Sequence, residues 1–246
     1  MNQPATDSPD LSVCLPVFNE SGNIETLIDE TAAAIGPTGR SFEVICVDDK
    51  STDDCLAVMR GLTATRPWLR VHASRINQGQ SAALAIALRL ARGEIIIIMD
   101  SDGQNDPADI PALLEAMTPD VDCCCGIRGK RHDTWSKRVA SKVGNGVRKL
   151  ITGGTVTDAG CAFKGIRRRA LGEIPVFNGM HRWLATMLEH QGYTITEIPI
   201  NHRAREHGVS AYNNLDRALR GLPDCFAMRW YSKRAVRGDR WVPDED

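Results

Sequence analysis

Glu94-Ile95-Ile96-Ile97-Ile98-Met99, running directly into Asp100-Ser101-Asp102, is the stretch on which the fold turns. An unbroken apolar run with no polar alternation suits a strand buried on both faces, and such strands belong to parallel sheets covered by helices on each side. Reading backwards, Gln80–Arg92 is rich in alanine and leucine and is expected to be a helix, with a short strand at Leu69–Ala73 before it. A helix over Thr52–Thr65 is preceded by the strand Phe42–Val47, which runs into Asp48-Asp49. Earlier still, Ser21–Ile35 is expected to be a helix capped by Ser21, with Glu25 in its early turns and Gly36-Pro37 as its stop. The chain enters this pattern through the apolar run Leu11–Val17. Forwards, Pro107 opens another helix, and Val121–Gly126 is one more strand. Strands and helices alternate throughout, which predicts an α/β fold with a doubly wound, mostly parallel sheet flanked by helices.

Open sheets of this kind bind ligands beyond the carboxyl ends of their strands. Polar or acidic residues stand at those positions: Phe18-Asn19-Glu20 after Val17, Asp48-Asp49 after Val47, and Asp100-Ser101-Asp102 after Met99. Two aspartates separated by one residue at a strand end, with Gln104 two residues on, offer oxygen ligands suited to Mg²⁺ or Mn²⁺. Substrate phosphates would complete the coordination, and the cation would neutralise a departing diphosphate. On its own the aspartate pair is also what a solvated loop looks like. Competing phosphate motifs are absent: no GxxxxGK[ST] loop occurs, and no GxGxxG follows the first strand.

Composition sets the outer limits. The 246 residues suffice for one large domain, and 42% hydrophobic with 25% charged residues is ordinary for a globular chain. The polar first ten residues do not read as a secretory signal, and no run approaches the roughly 18 apolar residues of a membrane span. Membrane association is therefore expected to be peripheral or through a partner. The eight cysteines contain no CxxC pair. Cys123-Cys124-Cys125 falls in a strand, where neighbours face opposite sides, so the triplet cannot converge on one metal. Buried reduced thiols and a cytoplasmic location are expected.

The blocks taken together resemble family-2 glycosyltransferases of the GT-A fold, especially the polyprenyl- and dolichyl-phosphate sugar synthases. Pro16-Val17-Phe18-Asn19-Glu20 is similar to their first-strand motif, and Val47-Asp48-Asp49-Lys50-Ser51 to their VDDGS motif, with Lys50 in place of glycine. Asp100-Ser101-Asp102-Gly103-Gln104-Asn105-Asp106-Pro107 is similar to their DxDxQ(x)DP metal motif. Arg205-Glu206-His207-Gly208-Val209-Ser210-Ala211-Tyr212 resembles their RxxGxSKY segment, with Ala211 in place of lysine. The resemblance implies that Pro16, Phe18, Glu20, Val47 and Asp49 surround the nucleotide base and ribose, and that Ser101 lies against the nucleotide sugar. It further implies that Asp100, Asp102 and Gln104 hold the metal, with Asp102 central to catalysis, and that Arg205 contacts the diphosphate. Phe18 and Val47 can also be read as core residues, although the nucleotide-side reading is favoured.

The second half is more basic. Between Arg128 and Lys149 eight lysines and arginines face one acid, Asp133. Trp135, Val139, Val143, Val147, Leu150 and Ile151 recur at helical spacing, the pattern of a basic amphipathic helix on an anionic membrane. A sheet-packed helix with a solvated charged face fits the same periodicity. Lipid-phosphate members of the resembled family carry an arginine after the preceding strand and an R-x-x-S-x-x-x-N pattern, matched by Arg128 and by Arg138 through Asn145. Arg128 and Arg138 are thereby implied as contacts of a polyprenyl phosphate acceptor, placed after the last strand and away from the nucleotide clusters. Asp158-Ala159-Gly160-Cys161 and Gly179-Met180-His181-Arg182 resemble blocks of the same branch, while Phe226, Trp230 and Tyr231 are candidate interfacial anchors in a basic stretch. Nucleic acid is not favoured, because the aromatics do not form a stacking platform.

The expected organisation is one GT-A domain over 1–246: a nucleotide-sugar half at 11–126, an acceptor- and membrane-facing half at 127–237, and a disordered tail at 238–246. The expected activity is inverting transfer from a nucleoside-diphosphate sugar to a polyprenyl phosphate at the cytoplasmic face of a membrane, with a separate membrane subunit as a possible partner. A family-2 enzyme using a hydroxyl acceptor, with Asp158 as base, and a non-catalytic nucleotide-sugar-binding protein are the alternatives.

Overall fold

A computed structural model describes residues 8–129, 146, 148–172, 174–204 and 214–235. Strands β1 (Leu11–Val17), β2 (Phe42–Asp48), β3 (Leu69–Ala73), β4 (Ile95–Ile98), β5 (Cys123–Arg128), β6 (Lys164–Arg167) and β7 (Ile195–Ile200) form one sheet in the order β3-β2-β1-β4-β6-β5-β7. Among the described residues the named helices are α1 (Ile24–Ile35), α2 (Cys55–Leu62), α3 (Gln80–Leu90), α4 (Ile110–Ala116), the single turn α5 (Arg168–Leu171), α6 (Leu184–His190) and α7 (Asn214–Ser232), with a further short helical segment at 148–152. The isoleucine run behaves as a doubly covered strand should. Ile95 and Ile97 join the core made with α1, α2 and α4, whereas Ile96 and Ile98 join the opposite core, made with α3 and α6. The cysteine triplet divides the same way: Cys124 faces the first core and Cys123 and Cys125 the second, with all eight cysteines buried and free.

The antiparallel member was not anticipated. β5 does not lie beside β4: β6 is inserted between them, antiparallel to both, and β7 then pairs with β5 in parallel. Every strand except β6 therefore points the same way. The carboxyl ends of β1, β2, β4, β5 and β7 converge on one edge, and the chain entering β6 arrives at that edge too. Arg128, expected beyond the last strand, is the last residue of β5 and lies at this same edge.

Helix ends differ from the sequence reading for local reasons. Ser21 caps nothing; its amide donates to Asp53 Oδ2 (3.0 Å), and α1 starts only at Ile24. Thr52 is held outside α2 because its amide donates to Asn19 Oδ1 (2.7 Å). Arg92 is drawn out of α3 by Glu43, which accepts its amide (2.8 Å) and its guanidinium (2.8 Å from Nη2). Glu43 also accepts from Ser12 Oγ and Arg70 Nη1, both at 2.7 Å, and is only 3% exposed. Burial pushes its carboxyl up, but the bonds from Arg92, Ser12 and Arg70 outweigh it and hold the group at about 2. This network fastens the edge opposite the strand ends just described.

Candidate active site

Sharp turns follow the first two parallel strands. After β1, Asn19 takes φ 55°, and its amide donates to Ser51 Oγ (3.0 Å). After β2, Lys50 takes φ 63°, while the Asp48 carboxylate accepts from Ser51 N at 3.2 and 3.3 Å. Glu20 accepts from Asn23 Nδ2 (2.6 Å). Asp49 is buried, and its two oxygens accept from the amides of Gln78 (3.0 Å) and Gly79 (2.6 Å). Gly79, at φ 88°, is the residue from which α3 starts. Asp49 thus ties the second turn to the start of α3. Val47 is fully buried in the core and Pro16 is buried in β1, whereas Phe18 is 44% exposed.

The acidic loop after β4 lies between these turns and β6. Asp100 N donates to Asn105 Oδ1 (3.1 Å), Gln104 N to Asp102 Oδ1 (3.1 Å), and Ser101 Oγ to the Pro16 carbonyl (2.9 Å). Gln80, the first residue of α3, donates from Nε2 to Asp100 Oδ1. Burial, then the negative charge of Asp102, push the Asp100 carboxyl up to about 6, against the opposing charges of Lys164 and Arg128 and the bond from Gln80. A second brace comes from the chain leaving β7. Arg203 N donates to the Gln104 carbonyl (2.9 Å), and the Arg203 guanidinium bonds Asp106 and Glu30, each at 2.6 Å.

Arg128 occupies the end of β5. Its Nε and Nη2 donate to the two oxygens of Asp158 at 2.8 and 2.7 Å, a bidentate pair largely shielded from solvent. The loop carrying Asp158 is pinned in turn: Glu189 accepts from Thr155 N at 3.0 Å, and Glu197 from Thr157 N at 2.7 Å. Lys164, 1% exposed, stands opposite Ile98 in the register and donates to the Cys161 carbonyl. Ser81 Oγ accepts from Gly179 N (2.9 Å) and lies 2.9 Å from His181 Nδ1, fastening the Gly179–Arg182 block to α3.

One edge therefore brings together Pro16, Phe18, Glu20, Asp49, Ser101, the Asp100–Gln104 loop and Arg128. Arg138 and Arg205, with Trp135 and Ala211, lie outside the described residues. The sequence reading missed Gln80 and Lys164. Gln80 had only its place at the start of a helix following a parallel strand. Lys164 carried a clearer signal, an isolated cation in the apolar stretch Ala162-Phe163-Lys164-Gly165-Ile166.

Comparison with known proteins gives this arrangement its family. Residues 12–175 match the family described as glycosyl transferase family 2. The chain belongs to that family. A family-2 relative, the undecaprenyl-phosphate 4-deoxy-4-formamido-L-arabinose transferase of Edwardsiella ictaluri, is 33% identical over 204 residues, covering 82% of this chain and 62% of the relative. The dodecaprenyl-phosphate galacturonate synthase of Rhizobium johnstonii is also 33% identical, over 237 residues, covering 94% of this chain and 69% of that protein. This chain thus spans about two thirds of the length of the curated relatives it matches. Among solved structures, glucosyl-3-phosphoglycerate synthase from Mycobacterium tuberculosis, in complex with Mn²⁺ and UDP-glucose, superposes with a TM-score of 0.65 at 21% identity. That match covers 90% of this chain and 79% of the other, and it establishes the GT-A fold.

Within this family-2 chain the residues present fit a hard divalent cation. Burial, and after it the charge of Asp102, raise the Asp100 carboxyl, a cost that a cation bound there would offset. Among the described residues no group of three or more Asp, Glu, His or Cys side chains could hold a metal. Two carboxylates and a carboxamide are an open oxygen set, suited to Mg²⁺ or Mn²⁺ sharing its coordination with substrate phosphate.

Proposed function

We propose that this chain transfers the sugar of a nucleoside-diphosphate sugar to a polyprenyl phosphate, with inversion, at the cytoplasmic face of a membrane. One observation carries the reading: the acidic loop after β4 and the arginine at the end of β5 share an edge, close enough for Arg128 to oppose protonation of Asp100. A donor diphosphate at the first and an acceptor phosphate at the second would stand side by side. The names of the two curated relatives, both polyprenyl-phosphate enzymes, support the acceptor class.

A phosphate monoester with a second pKa of about 6 is already largely dianionic at neutral pH, so its oxygen attacks without a strong base. A bond forms between that oxygen and the anomeric carbon as the bond from that carbon to the diphosphate oxygen breaks, and the electron pair leaves with the nucleoside diphosphate. Asp100, Asp102 and Gln104 would hold a Mg²⁺ or Mn²⁺ ion, which when bound would supply charge neutralisation to that leaving group. The chain's own work is to position two anions and offset their repulsion. Arg128 serves the acceptor, with Arg138 beside it and Arg205 on the donor diphosphate as assignments from the family resemblance. Pro16, Phe18, Glu20, Val47, Asp49 and Ser101 shape the nucleotide side, Val47 and Asp49 from within the fold. Asp158, both oxygens engaged by Arg128, is poorly placed as the base that a hydroxyl acceptor would need.

The test offers the chain UDP-, GDP- and dTDP-sugars with polyprenyl phosphate and extracts the lipid phase. A glycosylated lipid phosphate is expected, abolished by EDTA, and formed at least about 100-fold more slowly by Asp102→Asn. Sugar appearing only on a water-soluble hydroxyl acceptor would overturn the acceptor class. Near-normal Asp102→Asn turnover in excess EDTA would overturn the metal assignment.

A further inference from the structure

The carboxyl-terminal half of α7 has two unlike faces. Cys225 and Met228 are buried, and Tyr231 packs against the same core while its hydroxyl accepts from Gln191 Nε2 (2.8 Å). Tyr231 is therefore a packing residue and not the surface anchor its sequence position suggested. Phe226 and Trp230, four residues apart and so stacked along one helical face, are 61% and 59% exposed. Arg229 Nη1 donates to the Ile151 carbonyl (2.9 Å), joining this helix to the short helical segment 148–152, where Leu150 is 82% exposed. Residues 225–235 contain three cations, Arg229, Lys233 and Arg234, and no acid. The Arg234 guanidinium lies 5.1 Å from the Trp230 ring centre. Among the described residues no helix is long and apolar enough to cross a membrane.

Two large aromatics held in water, beside three cations that pair with no acid among the described residues, are an unfavourable surface unless something covers them. Tryptophan and phenylalanine settle at the boundary between headgroups and acyl chains, and lysine and arginine around them meet anionic phosphates. We propose that this face, with Phe226, Trp230 and Leu150 as the apolar contacts and Arg229, Lys233 and Arg234 as the charged ones, docks on an anionic phospholipid surface. The charge selects that occupant: an acid-free stretch complements a phosphatidylglycerol surface and has no reason to prefer a neutral one. The proposal deepens the polyprenyl-phosphate reading by locating the lipid side of the molecule, and rests on that reading only for its biological purpose.

The experiment sediments the full chain with vesicles of equimolar phosphatidylglycerol and phosphatidylcholine, without substrates. Wild type is expected to bind, to be released by raised salt, and to bind phosphatidylcholine alone at least about tenfold less. The double variant Phe226→Ala/Trp230→Ala should lose at least about tenfold in partitioning. Its thermal unfolding should be unchanged, because both side chains are exposed. Trp230→Phe, which keeps an apolar anchor, should still bind but lose much of the tryptophan quenching by brominated phosphatidylglycerol. Undiminished binding by the double variant, undiminished quenching in Trp230→Phe, or equal binding to the neutral vesicles would each overturn the proposal. So would a wild-type dimer that ignores vesicles and dissociates in the double variant, since the face would then belong to a second copy. Transfer to a short, water-soluble prenyl phosphate separates the two readings. The double variant should match wild type in that assay, while a wild type that binds vesicles but never glycosylates the soluble acceptor would sink the acceptor class alone.

Discussion

Lys50 holds a backbone conformation that L side chains enter at a cost of about 1 kcal/mol, and nothing in its φ of 63° is forced by its own side chain. The turn after β2 imposes it, since Asp48 and Asp49 on one side and Ser51 on the other are all fixed by hydrogen bonds. Lys50→Gly is therefore expected to stabilise the fold by up to about 0.5 kcal/mol, the relief of strain being partly offset by the greater freedom of the unfolded chain. Urea denaturation with an unchanged slope and a higher midpoint would bear this out; a lower midpoint would mean the lysine makes a compensating contact. The glycine of the resembled motif has its physical reason here. Asp49 marks where reading residues in order runs out. The sequence shows a carboxylate following a strand, which suggests a ligand, but only the folded chain brings the amides of Gln78 and Gly79 to its oxygens. The roles of Gln80 and Lys164 were hidden for the same reason, since each acts across the sheet edge on a partner distant in sequence.

At the scale of elements, Glu43 and its three partners join the starts of β1, β2 and β3 to the turn after α3. Its folded value of about 2 lies below the 4.5 of an unperturbed glutamate, so the stabilisation is fully present above pH 4.5. It is lost as pH falls from about 4.5 to about 2, and for this nearly buried group it amounts to at most about 3 kcal/mol. Glu43→Gln should accordingly lower stability at pH 7 and converge on wild type near pH 2–3 by denaturant titration. A difference that stays constant across that range would assign the effect to packing. The parallel strands were legible because Leu11–Val17, Phe42–Asp48 and Ile95–Ile98 are mostly apolar, with their polar residues near the strand ends. β6 was not: four residues containing Lys164, Gly165 and Arg167 give no periodic signal, and its place between β4 and β5 comes from pairing alone. β7, only part-buried along most of its length at the sheet's margin, was missed for a similar reason.

For the molecule as a whole, the parallel direction of β4 and β5 puts Arg128 on the same edge as the acidic loop, so that the proposed donor and acceptor chemistry shares one edge instead of lying in separate halves. Arg128→Ala is expected to raise the acceptor KM or depress kcat by roughly 10- to 150-fold, the worth of one charge-assisted contact. Donor affinity, measured without lipid, should change much less, and Arg128→Lys should recover only part of the loss because it cannot reproduce the planar fork. Loss of donor affinity with a flat acceptor dependence would instead assign Arg128 to the donor diphosphate. The variant also strips Asp158 of its bidentate partner, so a thermal scan should accompany the kinetics. The braces on the acidic loop have a consequence in time. Asn201 N bonds Asp109 Oδ2 (2.7 Å) across 92 positions, and Arg203 bonds Glu30 across 173. A ribosome therefore delivers the loop and its earlier partners Pro16 and Gln80 long before it delivers Asn201 and Arg203. Nascent chains will display Asp100 and Asp102 on a loop that lacks its Arg203 brace until residue 203 has cleared the exit tunnel, and a message cut shortly before that point will yield a protein that has most of its sheet but lacks these late braces.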